Sequence, residues 1–172
     1  MLYSVSRVAG AAALIAAALT TPVLAQDSIG NSGSWTAFSA SSPKECWAVS
    51  APVESRNTDA DGNPKEVTRG DIRLYVTYRP GQAGEVSFAG GYPFASGSTV
   101  ELNVGGQVFK LFTEGESAWA ESPAADGKLI SALRAGSSAT VSGQSGRGTV
   151  TKDSFSLSGI TAMTNKAQSA CK

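Results

Sequence analysis

The segment Asp71-Ile72-Arg73-Leu74-Tyr75-Val76-Thr77-Tyr78 decides the fold class. Its apolar residues alternate with more polar ones, so that Ile72, Leu74, Val76 and Tyr78 share one face of an extended chain. This period of two is typical of a strand with one buried face. The segment therefore predicts a β-sheet rather than a helical core.

The residues on either side of this strand repeat the pattern. Val100, Leu102 and Val104 alternate up to Gly105-Gly106, after which Gln107 to Phe112 runs back. A two-residue glycine connection permits the positive φ angles of a tight hairpin turn, so a hairpin is predicted here. Further short strands are predicted over residues 45–50, 85–89, 138–142 and 149–157, and residues 35–38 and 118–120 are candidates for additional short strands.

Two segments have helical signals. Ser122 can cap a helix whose first position is Pro123, Leu129 and Leu133 belong to its apolar stripe, and Gly136 can end it. After Gly159 the period becomes helical again, with apolar residues on one face that ends at Cys171.

These patterns predict an all-β fold, an antiparallel sandwich or barrel of about seven or eight short strands, with one inserted helix and a short C-terminal helix. The polar residues 51–70 are predicted to form the longest loop. Residues 26–34 are expected to be a flexible lead-in, and residues 35–172 a single β-rich domain.

The first 25 residues are predicted to be a signal peptide. Arg7 precedes an almost continuous apolar run from Val8 to Leu19, and Val23-Leu24-Ala25 suits cleavage after Ala25. The alternative, a retained membrane anchor, needs about 20 apolar residues, and the run is interrupted before that length. The expected location is the periplasm, or a secreted or envelope-associated state, with no transmembrane segment after cleavage.

The chain has two cysteines, Cys46 and Cys171. An even number in an exported protein favours a disulfide, so these two are predicted to pair. The alternative, two free thiols, would leave both open to oxidation in that compartment.

Composition excludes several functions. Loss of Arg7 from 14 basic residues leaves 13 against 14 acidic ones, a balance that offers no broad attraction for nucleic acid. The chain has no histidine, the usual base of a catalytic triad and the commonest transition-metal ligand. No catalytic residue, cofactor or metal site is therefore predicted.

An alternative function, hydrolysis of envelope glycans, would use carboxylates. Glu114 and Glu116 flank Gly115 near Trp119, and glycosidases need two carboxyl groups facing one sugar bond. A solvated turn is the simpler interpretation.

Three loops have partial motifs. Asp59 to Asn63 has the composition of a calcium loop, but its glycine and acids are misplaced for an EF-hand, which favours a hydrated turn. Gly143 to Gly148 lacks the lysine and helix start of a phosphate-binding loop, which favours a hairpin. Arg69-Gly70-Asp71 matches an adhesion tripeptide that also arises by chance.

Trp35, Trp47 and Trp119 suit either a carbohydrate-stacking surface or packing, and packing is favoured.

Several motifs in one order resemble the invasion-associated locus B family of exported alphaproteobacterial proteins. They are Lys44-Glu45-Cys46-Trp47, Arg69-Gly70-Asp71, Tyr78-Arg79-Pro80-Gly81, Gly90-Gly91-Tyr92-Pro93-Phe94, Leu111 to Glu116 with Ala118-Trp119, Ser145 to Thr149, and Asp153 to Gly159.

The resemblance implies a small exported β-rich protein that, in pathogenic members, contributes to entry into host cells. It supports Cys46 and Cys171 as a structural pair, with Trp47 in the same core, and implies no catalytic site. We therefore expect a non-enzymatic envelope interaction protein whose partner is an unidentified envelope or host-surface component. A structural or chaperone-like envelope factor is a further alternative. The expected interaction surface comprises Tyr92, Phe94, Glu114, Glu116 and Trp119.

Overall fold

The computed structural model describes residues 26–172, and the predicted signal peptide lies outside this range. Eleven strands form one sheet, and two helices pack against it. The strands are β1 Gln26–Ser32, β2 Trp35–Ser41, β3 Lys44–Ser50, β4 Glu54–Thr58, β5 Arg73–Tyr78, β6 Glu85–Ala89, β7 Thr99–Val104, β8 Gln107–Glu114, β9 Ser117–Trp119, β10 Ser138–Gln144 and β11 Val150–Ser156. The helices are α1 Pro123–Ala135 and α2 Ile160–Ala170.

The strand order is β1-β2-β3-β5-β6-β9-β8-β7-β10-β11-β4, and neighbouring strands are antiparallel. The antiparallel all-β prediction is therefore confirmed, as are the inserted and C-terminal helices. The number of strands was predicted too low, and the two segments not predicted as strands are β1 and β4.

β1 occupies the segment predicted as a flexible lead-in. It pairs with β2 from Gln26 opposite Ala40 to Ser32 opposite Trp35, with a register shift between Ser28 and Gly30. Its side chains are exposed or half-buried, so its sequence lacks the apolar alternation of an inner strand. A polar, bulged strand is typical of a sheet edge.

β4 lies at the opposite edge, within the segment predicted as the longest loop. It pairs with β11 from Glu54 opposite Ser154 to Thr58 opposite Val150. None of its residues is fully buried. The predicted loop is thus partly an edge strand, and the turn-forming residues that follow it return the chain to β5.

The sheet curves around one core, and its two halves meet at Trp35. Trp35 is fully buried, and its Nε1–H donates to the carbonyl oxygen of Ser156 at 2.9 Å. The Ser34 amide donates to the carbonyl oxygen of Ser158 at 3.0 Å. These bonds join β2 to the end of β11, near the opposite edge, so the fold is sandwich-like.

α1 has the predicted caps and apolar stripe. The Ser122 Oγ accepts a hydrogen bond from the Ala125 amide at 3.2 Å, and Leu129 and Leu133 are fully buried. Arg134 in the last turn donates to the Tyr78 hydroxyl at 3.1 Å. The helix is therefore anchored to β5.

α2 covers the inner face of β2 and β3. Its buried residues are Ile160, Met163, Thr164 and Ala167. The chain between residues 26 and 172 contains no helix with the length and apolar character to cross a membrane.

The predicted disulfide between Cys46 and Cys171 is present, with the Cα atoms 5.8 Å apart. It ties the residue that follows α2 to β3, and both cysteines are buried. The placement of Trp47 in the same core was wrong. Successive strand residues point to opposite faces, so Trp47 lies half-buried on the outer face, stacked on Phe38 with ring centroids 5.7 Å apart.

Candidate functional site

The loop Gly90-Gly91-Tyr92-Pro93-Phe94 between β6 and β7 is held by two neighbouring turns. The Gly90 amide donates to the carbonyl oxygen of Glu116 and the Phe94 amide to that of Gly115, both at 2.9 Å. The Pro93 carbonyl accepts from the Gly146 amide at 3.1 Å. The loop is thus fixed to the β8–β9 turn and the β10–β11 hairpin.

The segment before β5 is fixed to the same loop. The Gly70 amide donates to the Gly91 carbonyl oxygen at 2.8 Å. Gly91 has a φ of +72°, and a Cβ there would lie 2.6 Å from the Gly70 carbonyl oxygen. Glycine is therefore required both by the backbone conformation and by the close approach of the two chains.

Arg69 forms a buried ion pair beneath these loops. Its Nη1 and Nη2 donate to the two carboxylate oxygens of Asp153 at 2.8 and 2.7 Å, and the side chains are 6% and 0% exposed. Nη2 also donates to the Gly90 carbonyl oxygen at 2.8 Å, and Nη1 to Asn57 Oδ1 at 3.2 Å. Such bidentate geometry fixes the orientation of the Arg69 guanidinium relative to the Asp153 carboxylate. The Arg69-Gly70-Asp71 tripeptide therefore has a structural role rather than that of an adhesion motif, because the Arg69 side chain is buried.

Tyr92 packs against Arg69. The Arg69 guanidinium carbon lies 5.0 Å from the centre of the Tyr92 ring, and the Tyr92 hydroxyl lies 2.6 Å from Thr151 Oγ1. Burial raises the pKa of Tyr92, while the Thr151 hydrogen bond and the Arg69 charge oppose the rise. The Tyr92 hydroxyl therefore stays protonated at neutral pH, and the side chain is an uncharged surface packed against Arg69.

Phe94 lies beneath Tyr92 rather than on the surface. It is 8% exposed, and its ring centroid is 4.9 Å from that of Tyr92. Phe94 was predicted to belong to the interaction surface, but the structure places it in the core. Its contact with Tyr92 makes it a support for that residue.

The hairpin between β10 and β11 forms another wall, and its interpretation as a hairpin is confirmed. Ser145 Oγ accepts hydrogen bonds from the amides of Arg147 at 3.3 Å and Thr149 at 3.1 Å. Gly148 has a φ of +78°, which closes the turn. The Arg147 side chain is exposed at the tip.

These segments enclose a pocket of about 320 Å³, here called the motif pocket. Residues 67–69, 91–93 and 145–147 line it, together with Glu116, Thr149 and Thr151. Glu116, Arg147 and Thr68 are exposed at its rim. A broader groove of about 1100 Å³ beside β4 shares Val67 and Thr68 with it. The rim offers a carboxylate, a guanidinium and a hydroxyl to a polar ligand.

Of the five residues predicted for one interaction surface, Tyr92 and Glu116 line the motif pocket. Glu114 and Trp119 line a separate depression of about 430 Å³. Gly115, with a φ of +58°, reverses the chain between the two glutamates. They do not face a common cleft, so this geometry does not provide the carboxylate pair that the glycan-hydrolase alternative requires.

Asp59 forms the predicted turn. Its Oδ1 accepts hydrogen bonds from the amides of Asp61 at 3.0 Å and Asn63 at 2.8 Å, and its Oδ2 accepts from Asn63 Nδ2 at 3.0 Å. The Asn63 side chain is the main cause of a lowered pKa at Asp59, followed by the backbone amides. The Asp59 carboxylate thus accepts its hydrogen bonds from groups within the same loop.

The three tryptophans do not form one surface. Trp35 is in the core, whereas Trp47 and Trp119 are half-buried on the outer face. The strands of Trp47 and Trp119, β3 and β9, have β5 and β6 between them, a separation of about 14 Å at the usual spacing of strands.

Arg69, Arg147 and Thr68 were absent from the predicted site residues. The signal that could have found the two arginines is their place in motifs that carry the family resemblance. Those motifs are separate in sequence and meet at the motif pocket.

The family model "Invasion associated locus B (IalB) protein" matches residues 35–168. No curated protein and no solved structure matches the chain. The family match covers most of the sequence, including every segment that encloses the motif pocket, and the chain therefore belongs to the invasion-associated locus B family.

Proposed function

We propose that this protein is an exported, non-enzymatic interaction protein of the cell envelope that binds its partner at the motif pocket. The proposal rests on one observation. Separate segments, each fixed by backbone hydrogen bonds, surround one pocket and leave Glu116 and Arg147 exposed at its rim. A fixed framework lowers the entropic cost of binding, because these loops need not become ordered when the partner binds.

The groups around the pocket suit recognition. The Arg69 guanidinium is neutralised by Asp153 and held by Gly90 and Asn57, and Ser145 Oγ is engaged by two backbone amides. The exposed Glu116 and Arg147 side chains can accept and donate hydrogen bonds to a polar partner. In pathogenic relatives, the proposed use of this interaction is entry into host cells.

The proposed location is the periplasm or the outer envelope. The Cys46–Cys171 disulfide suits an oxidising compartment, and the predicted signal peptide would bring the chain there.

The test is chemical crosslinking in intact cells followed by recovery of the tagged protein. Parent protein is expected to recover an envelope component, and the double variant Glu116→Gln/Arg147→Gln is expected to recover about tenfold less, as lost hydrogen bonds to charged groups imply. The matched control is Glu101→Gln/Lys110→Gln, a cross-strand pair on β7 and β8 that does not line the motif pocket. Circular dichroism checks that all variants fold.

Two results would overturn the proposal. One is a parent protein that recovers nothing above an untagged control. The other is release of sugar fragments from purified cell wall by the parent protein, which would make it an enzyme.

A further inference from the structure

A second exposed feature lies on the outer face of β8 and β9. Phe112 and Trp119 are opposite each other in the strand register, and their rings stack with centroids 5.7 Å apart. Phe112 is 48% exposed, so together with the half-buried Trp119 it presents an aromatic surface to solvent. This stacked pair is separate from the motif pocket.

Carboxylates surround the stacked pair. The depression of about 430 Å³, here called the acidic depression, is lined by Glu85, Glu114, Glu121 and Asp126, and by no lysine or arginine of residues 26–172. Within the same residues only Glu85 of these four has an ion pair, at 3.4 Å to Arg79. Three of the four carboxylates therefore have no ion pair within residues 26–172, although Lys110 lines a neighbouring depression together with Glu121.

Asp126 shows that one of these carboxylates is built into the fold. The residue is 7% exposed, and one of its carboxylate oxygens accepts a hydrogen bond from the Val86 amide at 2.8 Å. No donor of the described chain bonds to the other oxygen, and the residue lines the depression. That second oxygen is not among the fully buried, unpartnered side-chain atoms of the described residues, so it is open to the depression and can accept a hydrogen bond from a ligand.

We propose that the acidic depression docks a basic segment of a partner protein, with a lysine or arginine side chain placed over the Phe112–Trp119 pair. A cation within reach of an aromatic ring face is attracted by the ring quadrupole. The same cation would relieve repulsion among Glu114, Glu121 and Asp126. Charge complementarity of this kind governs partner selection and association rate.

The size and composition of the depression favour a peptide segment. Its volume exceeds that of a single ammonium group, and both the rings and the carboxylates line it. A neutral glycan could stack on the rings, but its affinity would not depend on removing charge from three acids and would not fall steeply with salt. These two differences separate the occupants.

The experiment uses the full mature protein and a capped peptide of alternating arginine and glycine. Titration calorimetry measures affinity, and two-dimensional NMR follows the Trp119 indole N–H. The parent is expected to bind, with the Trp119 signal shifting. Glu114→Gln, Glu121→Gln and Trp119→Ala are each expected to weaken binding by about threefold to fivefold, and added salt is expected to weaken it further.

Controls separate this inference from the proposed function. Trp47→Ala removes an outer-face aromatic on a different strand and should leave peptide affinity unchanged, as should Glu116→Gln/Arg147→Gln at the motif pocket. Trp119→Phe keeps a ring and is expected to retain most of the affinity. Equal affinity for a glutamate–glycine peptide, unchanged affinity in Glu114→Gln/Glu121→Gln, or binding of a neutral oligosaccharide alone would overturn the inference while leaving the motif pocket in place.

Discussion

At the scale of single residues, the Arg69–Asp153 pair is the most consequential contact. Asp153→Asn would leave the buried guanidinium of Arg69 without its countercharge. We expect a loss of about 3 to 5 kcal/mol in the free energy of unfolding, because an unpaired buried charge is strongly destabilising. The loss in the free energy of unfolding is measured by urea unfolding at neutral pH.

The control for this change is Glu54→Gln. Glu54 pairs with Arg56 at 2.8 Å, but both side chains are more than half exposed. Its loss is expected to cost less than about 1 kcal/mol. Similar unfolding midpoints for the two variants would contradict the assigned importance of the buried pair.

Asp126 should give a pH dependence of a defined sign. Burial is the main cause of its raised pKa, the Val86 hydrogen bond opposes the rise, and the charge of Glu85 adds to it. A raised folded-state pKa means that the folded protein binds more protons, so stability falls as pH rises from the unfolded value of about 3.9 through the folded value. Glu114 and Glu121 also line this site.

Asp126→Asn is expected to remove this part of the pH dependence while keeping an oxygen that can accept from the Val86 amide. Carbon-13 NMR of the carboxyl group gives the pKa directly, and urea unfolding at several pH values gives the stability. A carboxyl that titrates at or below its ordinary value, or an unchanged pH slope in the variant, would show that burial is not decisive here.

At the scale of elements, α2 depends on its covalent link to β3. The cysteines are 125 residues apart in sequence, and loop-closure entropy gives an upper stabilisation of about 4 to 5 kcal/mol. Cys46→Ser and Cys171→Ser are each expected to lower stability by up to that amount, and α2 amides should exchange hydrogen faster. Equal melting of parent and variants under non-reducing conditions would remove this role.

The start of α1 provides a smaller and cleaner test. Ser122→Ala removes the hydroxyl that accepts from the Ala125 amide, with an expected cost of about 1 kcal/mol. Ser131→Ala is the matched control, because the Ser131 hydroxyl donates to the Gly127 carbonyl on the exposed side of the same helix. Thermal unfolding compares them. A larger loss in the control would contradict the cap assignment.

The elements that were predictable from sequence are those whose signals are local. The alternation in β5, the Gly105-Gly106 hairpin and the cap of α1 each reside in a few adjacent residues. β1 and β4 were not predicted, because edge strands need no buried alternation. β4 pairs with β11, which is distant in sequence, so no local pattern records its partner. β1 pairs with the adjacent β2 across Gly33-Ser34, but its own residues lack the apolar alternation that predicts a strand.

At the scale of the whole molecule, curvature explains why the candidate surface was only partly predicted. Tyr92 and Glu116 do meet, because the Gly90 amide is bonded to the Glu116 carbonyl. Glu114 on β8 and Trp119 on β9 instead belong to the outer face of these two strands, which are joined by the turn at Gly115. The Arg69–Asp153 contact spans 84 residues, so no spacing rule would have proposed it.

The closure of the sheet by Trp35 predicts one unfolding transition. Trp35→Phe would remove the hydrogen bond to Ser156 and leave a half-buried carbonyl without that donor, at an expected cost of about 1 to 3 kcal/mol. Trp47→Phe, on the outer face, is expected to cost less. Far-ultraviolet circular dichroism in urea measures both. Separate transitions for the two halves of the sheet in the parent would contradict the role of Trp35.

The position of the two cysteines also bears on quality control. Two thiols have a single intramolecular pairing, so oxidation produces no wrong isomer that must be reshuffled, and the competing products are intermolecular. A chain that stops short of Cys171 retains a free thiol at Cys46, because these are its two cysteines. Under oxidising conditions, a Cys46 that reacts with a thiol-specific label would therefore mark a molecule in which the Cys46–Cys171 bond has not formed, including any chain truncated before Cys171.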